Sequence, residues 1–271
     1  MTKKYKDNII QFPTKEELTQ KDSIEFDENF YSLTVLCFLK DVKAKYALSS
    51  NMQNSNFFNC VQIIVMQMIV IYCEFWNLFI DELEDDQKVE YFYTTKFPIM
   101  IVRFPCAVAI AMELHPKVKE GMDIMKFANN QTELFSKRGS RIAFFLGITN
   151  VIVVTSLFVL NIIKLAEFDT VENCVKDYIT FKMAIEIPAM FYNALADKAI
   201  KKVFEFPVER KNRGREINFM QRTSFHKCAR ILYKVFRSIY VSILFYMSPF
   251  LVYALIYTFG DTKSTFDRLE K

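Results

Sequence analysis

Five long apolar segments constrain this chain more than any other feature of its sequence. They cover residues 57–80, 97–114, 142–165, 178–195 and 239–259. A helix needs about 20 mainly apolar residues to cross the roughly 30 Å hydrocarbon core of a bilayer. Inside lipid, every backbone N–H and C=O group must be hydrogen-bonded within the protein, which favours helices. The sequence therefore predicts an all-α integral membrane protein, a five-transmembrane-helix bundle with amphipathic inner-side helices.

The charged residues are concentrated outside these segments. The chain has 35 Lys and Arg residues and 31 Asp and Glu residues, but only six of them fall within the five predicted spans. This partition excludes a soluble globular enzyme. No phosphate-binding glycine loop, HExxH or GxSxG motif is present, so we expect no enzymatic activity and no cofactor.

The distribution of Lys and Arg predicts the topology. With five spans, 26 of these residues lie on one side of the membrane and 6 on the other. The positive-inside rule then places the N-terminus inside and the C-terminus outside. The predicted parts are an inner segment 1–56, a membrane domain 57–259 that includes the basic inner connection 196–238, and an outer tail 260–271. This pattern applies equally to a plasma membrane, an endomembrane and the mitochondrial inner membrane.

The segment 178–195 is the least apolar of the five, because it contains Lys182, Glu186 and Pro188. Its hydropathy alone is equally typical of a buried amphipathic helix. Without this span, however, the basic connection 196–238 would move to the acidic side, so the charge distribution favours a transmembrane helix here.

Two inner-side segments are expected to form short helices. Phe30–Leu39 is an apolar decamer, too short to span, which predicts either an interfacial helix or a short re-entrant segment. Between the second and third spans, apolar residues alternate with lysines, which predicts a short surface helix. Its apolar positions are Val118, Met122, Met125 and Phe135.

A third inner-side helix is predicted over Arg222–Tyr240, directly before the last span. Its apolar residues form one stripe, which we expect to lie in the membrane interface, and its bases would contact anionic lipid or a partner protein. The alternative is an ordinary juxtamembrane helix whose bases only enforce topology. Nucleic acid is not an expected partner, since proximity to the membrane already accounts for the positive charge. The bases of this predicted contact are Arg222, Lys227, Arg230, Lys234 and Arg237.

Charged residues inside spans are costly and face a helix-bundle interior or an aqueous cavity. The predicted set consists of Glu74, Arg103, Lys182 and Glu186. Because the set is formally neutral, we expect a structural pair between Arg103 and either Glu186 or Glu74, with Lys182 reaching the interface. The alternative is a hydrated ion or proton path in which Glu186 is the selective acid. Glu113 and Lys164 lie near span ends and are expected to snorkel to the interface.

Other residue types give weaker signals. Tyr72, Phe75 and Trp76 precede the outer end of the first span, where aromatic rings favour the headgroup level. Gln67 and Glu74 share one face of that span, which indicates an interior polar seam. The six cysteines contain no CxxC pair and the chain has two histidines, so we expect apolar packing by the thiols and no metal site. Residues 1–23 lack the apolar run of a secretory signal.

These observations support two hypotheses about function. The first is a non-enzymatic subunit of a larger membrane complex, which packs against other membrane subunits and anionic lipid. The second is an ion channel or small transporter that works as a homo-oligomer. The frequent use of Asn, Lys, Ile and Phe is typical of an AT-rich genome, as in many protists.

Overall fold

The computed structural model describes residues 26–79, 97–136, 138–167, 170–195, 198–206, 208 and 224–256. The described chain is helical, with one isolated backbone bridge between Leu39 and Phe135. Its α-helices are α1 (Phe30–Cys37), α2 (Lys40–Lys45), α3 (Ser50–Phe79), α4 (Phe97–Asn130), α5 (Gly139–Glu167), α6 (Val171–Leu195), α7 (Lys198–Lys201), α8 (Ser224–Ile239) and α9 (Phe245–Met247). Short 3₁₀ turns follow α4, α7 and α9 at Thr132–Leu134, Lys202–Glu205 and Ser248–Phe250.

Four helices in the described part of the chain are long and apolar enough to cross a membrane. They cover Ser50–Asn77, Ile99–Asn130, Gly139–Ala166 and Phe225–Ile256. The prediction of an all-α protein with several membrane-spanning helices is therefore confirmed at this level. The predicted span 178–195 lies within α6, which forms a 25-residue helix but does not reach the same hydropathy, because Lys182 and Glu186 lie among its apolar residues. The count of five is thus not confirmed.

Contacts along the helices give their relative directions. Ser140 Oγ donates to the carbonyl of Ala128 at 2.8 Å, so α4 and α5 run antiparallel. The Tyr253 hydroxyl donates to the carbonyl of Met100 at 3.0 Å, so the last span is also antiparallel to α4. Following the predicted topology, we call the end of the bundle that contains α2, Asn130 and Gly139 the inner end.

Helix α1 is buried along its whole length inside the bundle. Asn29 caps it, accepting a hydrogen bond from the Ser32 backbone N–H at 2.9 Å. All eight helix residues are at most 1% exposed to solvent. Such burial explains why β-branched residues are tolerated in so short a helix, since tertiary packing outweighs intrinsic propensity.

Helix α1 runs from the middle of the bundle toward its inner end. The Tyr31 hydroxyl donates to Gln67 Oε1 at 2.7 Å, deep along α3. Gln53 Nε2, near the inner end of α3, donates to the Cys37 carbonyl at 2.6 Å. The interfacial and the re-entrant descriptions of this segment both stay predictions.

The predicted surface helix between the second and third spans is wrong. Helix α4 continues without interruption to Asn130, and it includes Pro105 and Pro116. The apolar residues assigned to the surface helix instead lie in the core. They are Val118, Met122, Met125 and Phe135, each at most 7% exposed. Lysines lower the hydropathy of α4, but they lie on other faces of the helix than its buried apolar residues.

Helices α4 and α5 pack closely where two glycines face each other. A Cβ atom added to Gly147 would lie 2.8 Å from the carbonyl oxygen of Gly121 and 3.0 Å from the Met125 backbone nitrogen. Backbone atoms cannot move aside as a flexible side chain can. Small residues at this crossing therefore allow the two helices to approach closely, as is common between transmembrane helices.

The last span is a long helix whose hydrogen bonding changes along its length. Helix α8 continues through a π-helical turn at Tyr240–Leu244 into α9 and the residues that follow it, up to Ile256. The prediction that an amphipathic helix runs directly into this span is borne out by the continuous helix. Only part of its apolar stripe packs on protein. Phe225 contacts Phe144 of α5 edge to face at 5.8 Å and Ala229 is buried, whereas Val235 and Ile239 of the same stripe are exposed.

Candidate functional site

Three ion pairs join helices within the described part of the chain. Lys164 of α5 pairs with Glu74 of α3. Lys182 Nζ of α6 lies 2.9 Å from Glu113 Oε1 of α4. One turn further along both helices, Lys117 Nζ of α4 lies 3.7 Å from Glu186 Oε1 of α6. The membrane charges thus hold α3 to α5 and α4 to α6.

These partners differ from the predicted ones. Arg103 was expected to pair with Glu74 or Glu186, but the structure gives both carboxylates a lysine partner. The expected snorkelling of Glu113 and Lys164 is also wrong, because each forms an ion pair with a neighbouring helix. The sequence predicted that these charges pair with one another, but residue identity alone does not fix which helices face each other.

Arg103 is buried in a different part of the bundle. Its residue is 2% exposed, and it is among the largest fully buried side chains of the described chain. It lies near the Cys174 thiol of α6. The predicted set of four charges therefore does not form one cluster. Lys182 and Glu186 lie against Glu113 and Lys117, Arg103 lies closer to the outer end of the same α4–α6 contact, and Glu74 pairs with Lys164 of α5.

A polar seam runs along the contact between α4, α6 and the start of α1. On α4, Glu113, Lys117 and Glu120 follow one another at spacings of four and three residues, which places them on one helix face. Lys182 and Glu186 of α6 face the first two of them. Lys117 Nζ also lies 3.8 Å from Asp27 Oδ2, just before α1. We use "polar seam" for Asp27, Glu113, Lys117, Glu120, Lys182 and Glu186.

Glu120 is the most buried carboxylate of the polar seam. Its Oε1 accepts a hydrogen bond of 2.6 Å from Asn29 Nδ2 and one of 2.8 Å from Ser32 Oγ. Its Oε2 is buried and has no hydrogen-bond partner among the described residues. With Glu120, the polar seam contains four carboxylates and two lysines, so its acids outnumber its bases.

Lys117 and Glu120 are not among the residues that the sequence predicts for this site. Both lie beyond Leu114, where the second predicted span ends, on the predicted inner side. The available signal was the regular spacing from Glu113 through Lys117 to Glu120, which continues the helix face of the span.

A chain of hydrogen bonds connects α1 to α3 and α6. Tyr31 donates to Gln67 Oε1, and Gln67 Nε2 in turn donates to the Ala184 carbonyl at 3.1 Å. Burial raises the pKa of the Tyr31 phenol above its ordinary value, so the hydroxyl remains a donor. The predicted interior face of Gln67 and Glu74 is thus seen in their contacts, since each is bonded to a neighbouring helix.

The basic residues of α8 are exposed at the inner end of the bundle. Arg230, Lys234 and Arg237 lie along one side of the helix, and Lys227 is exposed as well. Arg222, the remaining member of the predicted set, lies outside the described residues. Exposed apolar residues accompany these bases, among them Ile231, Val235 and Ile239, which are 45–65% exposed.

The thiols and imidazoles are dispersed in the structure. All six cysteines are free, with Cys37, Cys60, Cys106 and Cys174 buried. His115 lies between the rings of Tyr240 and Phe245, at 5.9 and 5.1 Å between centroids. Among the described residues, no group of three or more His, Cys, Asp and Glu side chains is arranged to hold a metal ion.

Comparison with known proteins identifies no similar protein. No protein-family model matches the chain, and no curated protein or solved structure is significantly similar to it. The class of the molecule therefore follows from its own fold: it is an all-helical protein whose apolar helices are those of a membrane protein.

Proposed function

We propose that this protein is a non-enzymatic, multi-pass membrane protein that serves as a structural or accessory subunit of a larger membrane complex. The observation that supports this function is the use of intramembrane charge. Glu74, Glu113 and Glu186 each pair with a lysine of another helix in the same chain. Charges that pair in this way contribute to helix assembly, as packing requires, and are not left free for chemistry.

The proposal includes five spans, with the N-terminus inside and the C-terminus outside. The path of α6 supports the fifth span. It begins at Val171, soon after the outer end of α5, and the segment after it returns to the inner end. There Lys45 Nζ of α2 lies 5.2 Å from the ring centroid of Phe206. A helix that connects the two ends of the bundle has the geometry of a transmembrane helix.

The outward surfaces are suited to lipid and to neighbouring subunits. Helix α3 packs on the chain through one stripe, and most of its other apolar side chains are exposed. Those most exposed include Phe58, Val65, Ile69, Tyr72 and Phe75, at 46–61%. Tyr72 and Trp76 stack near the outer end of this helix with ring centroids 5.9 Å apart, where amphipathic rings favour the headgroup level. Anionic lipid at the basic inner end completes the proposed surroundings.

Purification from the native source tests the subunit proposal. A tagged chain is extracted in mild detergent, and its native mass and its co-purifying proteins are measured. Stable association with unrelated membrane proteins in fixed ratio is the expected result. Recovery as a symmetric homo-oligomer without other subunits would contradict it.

The polar seam favours a second candidate, a subunit of an ion channel or small transporter. Its excess of carboxylates, with Glu186 and Asp27 both near Lys117, is a feature of pathways that carry cations or protons. Glu186→Gln and Arg103→Gln separate the two functions in reconstituted vesicles. If both variants assemble normally but abolish a measured ion flux, the conduit is correct and the structural role is wrong.

A further inference from the structure

A basic groove crosses the inner end of the bundle between α4 and the last span. It encloses about 530 Å³. Helix α4 contributes Lys126, Asn129 and Asn130, which form one wall. Arg230, Lys234 and Arg237 of α8 form the other wall, together with hydroxyl groups further along the same helix.

The charge of the groove is of one sign. Among the described residues, its lining includes four bases and no carboxylate. Arg230, Lys234 and Arg237 are spaced by four and three residues, so they project from one face of α8. Bases that converge on one space repel one another unless an anion lies between them, which favours a ligand with more than one negative charge.

The polarity of the groove changes along its length. The bases lie toward the inner end of α8, and the hydroxyls of Ser238 and Ser242 follow along the helix, next to Val241. Val241 and Ser242 belong to the π-helical turn within the membrane-spanning segment. A phospholipid has the same order of groups: charged phosphate, then polar glycerol esters, then hydrocarbon.

The walls also offer groups that recognise a headgroup by hydrogen bonding. Arg side chains bind phosphoryl oxygens through paired N–H donors, and Lys binds them as a point charge. The π-helical turn is an irregularity of a kind that is frequent at functional sites.

We infer that this groove is a binding site for the multiply phosphorylated headgroup of an anionic membrane lipid. The inference rests on the proposed membrane location of the inner end, but it requires no partner subunit. The two proposals can therefore fail separately, since a chain that purifies alone can still bind the lipid, and a complex can form without it.

The test measures binding to the full chain in detergent. The probes are dioctanoyl phosphatidylinositol bisphosphate, dioctanoyl phosphatidylserine and free inositol trisphosphate. We expect the bisphosphorylated lipid to bind most tightly. In the triple variant Arg230→Gln, Lys234→Gln and Arg237→Gln, its affinity should fall by about 100-fold, given the attraction of each base to an anionic surface.

A matched control removes three exposed bases of the inner side that lie outside the groove. Lys119→Gln, Arg138→Gln and Lys202→Gln change the net charge by the same amount. This control should change the affinity by less than about threefold. Equal losses in both triple variants would show diffuse attraction and overturn the site. Equal affinity for free inositol trisphosphate and for the lipid would show that the ligand is a soluble polyanion, which would overturn the lipid assignment.

Discussion

Glu120 shows how a single side chain can anchor a buried helix. Its Oε1 accepts hydrogen bonds from Asn29 and Ser32, which form the cap of α1. Both donors are buried, so removing their acceptor would leave them without a partner in an environment that contains little water. Glu120 therefore holds the start of α1 against α4.

Replacing Glu120 tests this role. Glu120→Leu should lower the free energy of unfolding by about 1–3 kcal/mol, because Asn29 and Ser32 lose their acceptor. Glu120→Gln retains an oxygen acceptor and should cost about 1 kcal/mol or less. The four buried thiols provide the measurement, since a thiol-reactive fluorophore labels them only as the chain unfolds on heating. Equal losses in the two variants would contradict the anchoring role.

At the scale of elements, ion pairs between helices make the clearest contribution to stability. The side chains of Glu74 and Lys164 are 20% and 17% exposed, so this pair between α3 and α5 lies largely within the protein. Removing one member of a buried pair leaves an uncompensated charge. An exposed pair such as Glu172–Lys176, within α6, contributes far less.

A charge reversal distinguishes these two kinds of pair. Glu74→Ala or Lys164→Ala should lower the free energy of unfolding. The loss for a fully buried pair is roughly 3–5 kcal/mol, and the partial exposure of this pair makes the loss smaller. The double variant Glu74→Lys with Lys164→Glu should recover most of that loss, because the pair is restored with its signs exchanged. Glu172→Ala should change stability by less than about 0.5 kcal/mol. Thermal unfolding in detergent measures all of them, and a double variant no more stable than the single ones would refute the pairing.

The crossing of α4 and α5 depends on two glycines. Alanine at position 147 gains about 1 kcal/mol of helix propensity over glycine. Its Cβ would nevertheless lie 2.8 Å from the Gly121 carbonyl oxygen, which requires the helices to separate.

Overpacking of this kind costs roughly 1–3 kcal/mol, so we expect Gly147→Ala to be neutral to destabilising and Gly147→Leu to be clearly destabilising. Ile152→Ala on the exposed side of α5 is the control, since this side chain is 46% exposed. Unfolding temperatures in detergent provide the comparison. A Gly147→Leu variant as stable as the parent would show that the close contact is unimportant.

Orientation in the membrane is a property of the whole molecule. Asn130, Gln131 and Thr132 form an N-glycosylation sequon at the inner end of α4, next to the basic groove. Because the positive-inside rule places this end away from the lumen, Asn130 should remain unmodified in a microsomal translocation assay. A sequon introduced into the tail 260–271 should be glycosylated in the same assay. Modification of Asn130 would invert or abolish the proposed topology.

The main features of the fold could be predicted from the sequence because the bilayer imposes them locally. Apolar length and backbone satisfaction require helices, so the sequence located α3, α5 and the last span, and it placed both ends of α5 within three residues. The error on α4 has a physical cause as well. Lys117, Lys119 and Glu120 lower the local hydropathy, but the seam, α1 and solvent accommodate them while the helix continues.

What the sequence determined by itself is therefore the helical class and the apolar segments that can cross a membrane. The tertiary structure decided which charges pair, with Lys164 beside Glu74 and Lys117 beside Glu186, and it buried α1 along its whole length. The reason is that an apolar helix face predicts contact with an apolar environment, and both lipid and the protein interior provide one. Only the arrangement of helices distinguishes the two and brings distant charges within reach of each other.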